Sequence, residues 1–182
     1  MKRVLISLYI IFLFSCEKKR DVLEYNTDLA ERTTVTVFLF EYCGIAQDMC
    51  GPLRNTYRYF CDTLNADILF QAFSPNSFST NESISNFVVK YDIPFNVFLD
   101  YNNEENTVGT YTEMYQPVVT PEVFVELDGR LVYRGMIDNS YLELGQFSPA
   151  TEHYLYDVLQ RIVNGEDITY FETTAVGCLV NY

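Results

Sequence analysis

The residues best suited to chemistry in this chain are its cysteines. Cys43 follows residues 33–40, a β-branched and aromatic segment typical of a buried strand, and precedes a helical stretch at residues 46–61. A cysteine at a helix N-terminus faces unpaired N–H groups and the positive end of the helix dipole, and both favour the thiolate. The thiolate is the form that attacks disulfides and peroxides. Cys43 is therefore the first candidate for a redox nucleophile.

The other cysteines are candidates for its partners or for structural bridges. Cys178 lies in a C-terminal tail from which a thiol can reach an active site, so it is the candidate resolving thiol, with a structural disulfide equally open. On a continuous helix, Cys50 would lie about 10 Å from Cys43 along the axis, beyond disulfide reach. Cys50 and Cys61 are candidates for a disulfide. Four cysteines allow three complete pairings, and the sequence does not choose among them.

Residues 1–15 are predicted to be a signal peptide rather than part of the fold. Lys2 and Arg3 form a positive start, and residues 4–14 are an apolar run too short to span a bilayer. The run ends at a small residue before Cys16, which resembles the bacterial lipoprotein signal; an ordinary secretory signal is the alternative. We expect Cys16 to be lipidated, and the protein to be exported and lipid-anchored on the periplasmic side of the cell envelope.

Composition indicates one folded domain behind that anchor. Residues 16–32 are predicted to be the lipidated cysteine and a polar tether, and residues 33–182 a single domain. With 48% hydrophobic residues, 8 Gly and 6 Pro, the chain is neither disordered nor collagen-like. The formal charge of −13, without a basic stripe, argues against nucleic acid and anionic headgroups as partners. Membrane contact is expected through the lipid alone.

Hydrophobic periodicity predicts an α/β fold with a central mixed sheet flanked by helices. Ser79 and Glu82 form a capping box that opens a helix, and Ser148-Pro149 is expected to start the last one. Asp128-Gly129 forms a two-residue turn between two strands. The predicted strands cover residues 33–40, 66–73, 96–100, 122–127 and 130–136, and the predicted helices begin near residues 46, 79, 103 and 148. Alternating strands and helices followed by a hairpin give this fold class.

Four motifs carry a resemblance to a known family. The segment FLFEYCG at residues 38–44 resembles the active-site approach of the thioredoxin superfamily. The segment VTPEVF at residues 119–124 resembles that superfamily's Thr-Pro loop, in which the proline is cis and lies beside the reactive cysteine. With LVYRG at residues 131–135 and the late Gly177-Cys178, the chain is similar to bacterial redoxin-domain proteins of the alkyl hydroperoxide reductase and thiol-specific antioxidant type. The resemblance covers residues 33–180, nearly the whole predicted domain.

The resemblance implies a thioredoxin-like fold and a thiol reaction without a cofactor. Cys43 would attack a disulfide or a hydroperoxide, and Cys178 or an external thiol would resolve the product. Thr120 and Pro121 would form the loop that receives an extended substrate segment. The implied partners are an envelope protein thiol or disulfide, or a small peroxide, together with an external thiol reductant.

Departures from the family patterns keep two other functions open. Ala46 stands where a Cys-x-x-Cys pair would have its second cysteine, and Phe40 stands where peroxiredoxins have threonine. A catalytically silent binding module with structural disulfides is the alternative that these residues favour. Metal delivery is a third function, but Gln47 stands where its second cysteine would be needed, so no metal site is predicted.

Overall fold

The computed structural model describes residues 32–182. In chain order the elements are β1 (Thr33–Phe38), α1 (Gly44–Tyr57), a π-helical segment (Arg58–Thr63), β2 (Ile68–Ser74), α2 (Asn81–Tyr91), β3 (Asn96–Leu99), β4 (Tyr101–Asn102), β5 (Thr107–Val108), α3 (Thr110–Tyr115), β6 (Val119–Thr120), β7 (Glu122–Leu127), β8 (Arg130–Gly135), β9 (Tyr141–Glu143), β10 (Gln146–Phe147), α4 (Tyr154–Val163), β11 (Phe171–Glu172) and β12 (Cys178–Leu179). The predicted signal peptide, Cys16 and the tether as far as residue 31 lie outside the described residues.

The central sheet is mixed, as predicted. Its strand order is β11-β8-β7-β1-β2-β3. Strands β1, β2 and β3 are parallel, β7 runs antiparallel to β1 and β8, and β11 runs parallel to β8. β1 lies inside the sheet, between β7 and β2, and every one of its residues is buried. Its run of threonine, valine and phenylalanine suits a strand covered on both faces.

Helices cover both faces of this sheet. On one face, α1, α2 and α4 pack on a core that includes Val35 and Val37 of β1 and the apolar stripe Leu155, Val158 and Leu159 of α4. On the other face, a smaller cluster of Phe38, Phe73 and Phe124 packs against Tyr115 of α3. The two faces together confirm the predicted layer of sheet between helices.

Two predicted helix starts are wrong because polar groups at these positions make other hydrogen bonds than those of a helix cap. Thr80, not Ser79, caps α2: its side chain accepts from the Ser83 amide at 3.0 Å, because the Ser79 hydroxyl turns inward and donates to Glu41 at 2.8 Å. α4 begins at Tyr154 instead of Ser148. The amides of residues 151 and 152 donate to the Asn139 side chain, which holds this segment outside the helix.

The region predicted as a weak helix at residues 103–115 is divided. The short antiparallel pair β4 and β5 comes first, and α3 follows. The Asn102 side chain accepts from the amides of Glu104 and Glu105, which closes a turn in place of a helix. The Asp100 carboxylate then accepts from the Thr112 amide at 2.6 Å and anchors α3.

Candidate functional site

Cys43 lies between β1 and α1, directly before the first residue of the helix. It is the N-cap residue of α1, with an extended backbone, and no side chain caps the helix at this position. Its amide donates to the Phe40 carbonyl at 2.9 Å, and its carbonyl accepts from the Gln47 amide at 3.0 Å. Its thiol donates to the Thr120 carbonyl at 3.2 Å, and the residue is 0% exposed. The predicted strand-to-helix position of Cys43 is therefore confirmed.

Thr120 and Pro121 form the loop that faces Cys43. The Thr120–Pro121 peptide bond is cis, as the resemblance implied, and both residues are buried. Proline has no N–H, so at this point the loop offers carbonyl groups to its neighbours and no amide from Pro121. The structure thus brings together Cys43, Thr120 and Pro121 from two separate parts of the chain.

Cys178 completes the group. β12 pairs antiparallel with β6, in a register that places Cys178 opposite Thr120. The Thr120 hydroxyl donates to the Cys178 carbonyl at 3.4 Å. Burial, followed by a hydrogen bond between the Cys178 and Cys43 side chains, raises the pKa of Cys178 to about 12. Cys178 was predicted to sit in a loose tail, but the tail forms a strand that delivers its thiol to Cys43.

Gly177 allows this strand to approach the loop. A Cβ atom at position 177 would overlap the Thr120 carbonyl oxygen and lie 2.6 Å from its carbonyl carbon and 3.1 Å from the Pro121 nitrogen. All three obstacles are backbone atoms, which cannot rotate away. Glycine is therefore required for the pairing of the tail with the loop. Gly177-Cys178 is recognisable as a motif in the sequence, but no neighbouring residue reveals this reason for the glycine.

Cys50 and Cys61 are not brought together. All four cysteines of residues 32–182 are free thiols. Cys50 donates to the Ala46 carbonyl at 3.1 Å, and Cys61 points to the Ile68 carbonyl at 3.7 Å. One nearly continuous helical rod separates the two by about 15 Å, well beyond the reach of a disulfide. Burial raises the pKa of Cys50 to about 12 and that of Cys61 to about 11, so both stay protonated at neutral pH.

Glu41 is a buried carboxylate, although a glutamate beside the cysteine was expected to be exposed. It lies two residues before Cys43 and is 5% exposed. Three hydroxyls donate to it, from Ser74 at 3.2 Å, Ser79 at 2.8 Å and Ser83 at 2.6 Å. Serines are frequent around residues 79–83, but they lie far from Glu41 in the sequence, so no local pattern predicts their contact with its carboxylate. This network ties the loop before Cys43 to β2 and α2.

Gln47 supports the same loop from α1. The side-chain amide nitrogen of Gln47 donates to the backbone carbonyl of Glu41 at 2.8 Å, and its side-chain oxygen accepts from the Tyr91 hydroxyl at 2.7 Å. The residue that replaces a second cysteine in the metal-delivery pattern is thus a structural brace. Across residues 32–182, no cluster of three or more His, Cys, Asp or Glu side chains is placed to hold a metal ion.

Arg134 and Glu122 form a separate ion pair behind the loop. Two guanidinium nitrogens donate to one carboxylate oxygen of Glu122, at 2.5 and 2.9 Å, while the other oxygen accepts from the Val118 amide at 2.7 Å. The guanidinium lies over the Phe124 ring at 4.8 Å. Arg134 therefore fixes the strand after Pro121, and its charge is matched by Glu122.

Comparisons with known proteins identify the fold. No protein-family model matches the chain, and no curated protein sequence matches it. Among solved structures, an uncharacterized conserved protein from Geobacillus kaustophilus superposes with a TM-score of 0.68 at 19% identity, over 84% of this chain and 78% of that chain. The thioredoxin domain of a thiol-disulfide oxidoreductase from Bacteroides vulgatus gives 0.52 at 16% identity, over 76% and 84%.

A further neighbour is a thiol:disulfide interchange protein from Bacteroides sp., with a TM-score of 0.52 at 18% identity over 77% of this chain and 78% of that chain. The chain therefore has a thioredoxin-like fold. Between residues 32 and 182, no helix has the length and apolar character needed to cross a membrane.

Proposed function

We propose that this protein is a thiol–disulfide oxidoreductase in which Cys43 is the nucleophile and Cys178 the resolving thiol. The observation that carries the proposal is the meeting of three groups from distant parts of the chain. The Cys43 thiol donates to the Thr120 carbonyl beside Pro121, and the pairing of β12 with β6 places Cys178 opposite the same Thr120. A structural cysteine pair would have no need of a helix N-terminus or of a Thr-Pro loop.

The two thiols have different surroundings, and these suit different roles. Cys43 caps α1, whose first-turn N–H groups and dipole stabilise the negative charge that develops on its sulfur. Cys178 has a pKa of about 12, chiefly because it is buried, and so remains a protonated thiol at neutral pH. We assign the first attack to Cys43, because it is the N-cap of α1, and the second to Cys178.

The reaction balances with two thiols on the protein and one disulfide on the substrate. The Cys43 thiolate attacks one sulfur of R–S–S–R′, the Cys43–S–S–R bond forms, and R′–S⁻ leaves and takes up a proton. Cys178 then loses its proton and attacks the Cys43 sulfur, and R–S⁻ leaves. The protein ends with a Cys43–Cys178 disulfide, and the substrate has gained two electrons. An external thiol reductant returns the protein to its dithiol form.

A disulfide suits the site better than a peroxide. Phe40 occupies the position at which peroxiredoxins carry threonine, and its ring packs against the Tyr42 ring at 5.5 Å. A phenylalanine has no hydroxyl with which to hold a peroxide oxygen. The Thr120–Pro121 loop, in contrast, presents a strand edge that already pairs with an extended segment. A polypeptide disulfide is therefore the proposed substrate.

Trapping the mixed disulfide tests the proposal. In the full chain carrying Cys178→Ser, glutathione disulfide should leave one glutathione on Cys43, found by peptide mass spectrometry. The unsubstituted protein should instead proceed to a Cys43–Cys178 bridge and release glutathione. Cys61→Ser is the matched control and should behave like the unsubstituted protein. Adducts confined to Cys50 or Cys61, or none at all, would overturn the assignment.

The second candidate is a strand-binding module without redox activity. The complete burial of Cys43 favours it, because a covered thiol does not react as it stands. The structural disulfides that this alternative predicted are not formed among the four free thiols of residues 32–182. The trapping experiment separates the two candidates, since a silent module would collect no adduct on Cys43.

We also propose that the reaction takes place in the cell envelope, with the domain held by a lipid on Cys16. Support comes from the signal-like residues 1–15 and from the polar segment that follows them. Growth with a labelled fatty acid should label the protein, and Cys16→Ser should abolish the label. Envelope thiol proteins and a thiol reductant on the same side of the membrane are the proposed partners.

A further inference from the structure

The last residues of the chain occupy the strand edge that the proposed function reserves for substrate. β12 pairs with β6, and beyond the strand the Val180 amide donates to the Val118 carbonyl at 3.1 Å. The Tyr182 hydroxyl donates to the Pro117 carbonyl at 2.8 Å. An incoming extended segment would need the same backbone groups of residues 118–120. The tail and a substrate strand therefore exclude each other.

The same tail covers the nucleophile. Cys43 is 0% exposed, and the Cys178 side chain lies against it. Val176, just before β12, lines a narrow gap with Ile45 and Pro121 on the side of α1. A disulfide must approach the Cys43 sulfur along the axis of the bond that breaks, which a fully covered thiol does not permit. Reaction with any external disulfide thus requires the tail to move.

The attachment of the tail is weak enough to open. It consists of a two-residue strand and a few hydrogen bonds, and Leu179 and Tyr182 are 71% and 61% exposed. Segments with few buried apolar contacts open locally at a small fraction of the cost of global unfolding. The loss of one or two ordinary hydrogen bonds corresponds to about a tenfold change in such an opening equilibrium.

We propose that residues 176–182 form a gate, which occupies the substrate edge and must detach before Cys43 reacts with anything other than Cys178. Gly177 sets how well the gate closes, because any side chain there collides with the Thr120 carbonyl. The proposal of a gate rests on the proposed function in one respect only, namely the kind of substrate that the gate admits. The covering of Cys43 by the tail is a property of the fold.

The test compares two identical chemical changes. Gly177→Ala places a methyl group against the backbone of Thr120, whereas Gly51→Ala places one where no heavy atom lies within 4 Å. The full chain of each is treated with iodoacetamide, and the rate of modification at Cys43 is followed by fragment mass spectrometry. We expect Gly177→Ala to raise this rate at least about tenfold, since the tail pairing is lost. Gly51→Ala should match the unsubstituted protein.

Two further measurements guard against a merely misfolded variant. Tyr182→Phe removes a single hydroxyl from the tail, and should raise the Cys43 rate by a smaller factor while leaving the melting temperature unchanged. A synthetic peptide with the sequence of residues 174–182, carrying serine at position 178, should slow the modification of Gly177→Ala again. The same peptide with alanine at position 177 should not protect Cys43.

The results separate the gate from the proposed function. Equal Cys43 rates in Gly177→Ala and Gly51→Ala would overturn the gate, whether or not Cys43 reduces disulfides. A fast rate in Gly177→Ala without any adduct from glutathione disulfide would support the gate and overturn the oxidoreductase function. Protection by both peptides alike would show that the register with Thr120 is not what closes the site, and would also overturn the gate.

Discussion

The domain contains two pairs of cysteines. Cys43 and Cys178 are far apart in sequence but close in space, whereas Cys50 and Cys61 are closer in sequence but too far apart in space to bond. Cys43 and Cys178 lie near opposite ends of the described chain, yet both meet at Thr120, whose carbonyl accepts from the Cys43 thiol and which lies opposite Cys178 in the strand pair. Cys50 and Cys61 lie close together along one helical rod, yet each bonds to a different carbonyl group. The first pair meets because β12 pairs with β6 in a separate two-stranded sheet beside Cys43. The second is kept apart because a helix is stiff.

The comparison shows that the surroundings of a thiol, more than its spacing from the next cysteine, decide what it can do. All three cysteines with raised pKa values are partly or wholly buried, but only Cys178 faces another thiol. Cys43 alone caps a helix. The proposed redox pair needs one thiol at a position that favours an anion and a second thiol nearby, and of the two pairs only Cys43 and Cys178 have this arrangement.

Removal of the nucleophile should have the largest effect. Cys43→Ser is expected to lower the rate of disulfide reduction about a thousandfold, because a serine hydroxyl at neutral pH is a far weaker nucleophile than a thiolate. Cys50→Ala is the matched control from the other pair and should keep the rate within about twofold. The measurement is the turnover of a polypeptide disulfide with excess dithiol. Equal losses in the two variants would erase the contrast between the pairs.

Oxidation should stabilise the protein through the first pair only. A Cys43–Cys178 bridge closes most of the described chain into a loop, and this should raise the free energy of unfolding by about 2–4 kcal/mol. Urea denaturation of the oxidised and reduced protein measures the difference. Oxidant should bring no gain in Cys178→Ser. A bridge between Cys50 and Cys61, found by peptide mapping, would contradict the distances in the structure.

The loop before Cys43 should depend on its buried carboxylate. Ser74 and Ser79 donate to one carboxylate oxygen of Glu41 and Ser83 to the other. Glu41→Gln replaces one of these oxygens with a donor amide, so the hydroxyls on that side lose their acceptor. We expect the free energy of unfolding to fall by about 1–3 kcal/mol. Glu82→Gln, at an exposed position of α2, should change it by less than about 0.5 kcal/mol. A value for Glu41→Gln as small as that of the control would mean that the network contributes little.

Cys61, from the second pair, should titrate well above neutral pH. Burial, and after it the charge of Asp62, raises the pKa of Cys61 to about 11. Because the thiolate reacts, alkylation of Cys61 should rise about tenfold per pH unit from pH 8 to pH 10 and level off only near pH 11. In the urea-unfolded chain, the same residue should level off near its ordinary value of about 8.5. A plateau near pH 9 in the folded protein would show that Cys61 is not shielded.

Much of this fold follows from local patterns. The strand at β1, the hairpin of β7 and β8 around Asp128-Gly129 and the helix that begins after Cys43 were predicted within a few residues. Each depends on side-chain periodicity or turn chemistry over a short window. The errors lie where a distant polar group intervenes. Ser79 did not cap α2 because Glu41 binds its hydroxyl, and no pattern around Ser79 reveals that contact.

Local patterns are enough to identify Cys43 as the candidate nucleophile, because a position between a strand and a helix depends on neighbouring residues alone. Such patterns also point to Thr120, Pro121 and Cys178 as separate motifs. Three features are visible only in the folded domain: the tail forms a strand on this loop, Gly177 lets it approach, and Cys43 is buried. These contacts join segments far apart in sequence, so they depend on how the whole sheet packs and not on any one segment.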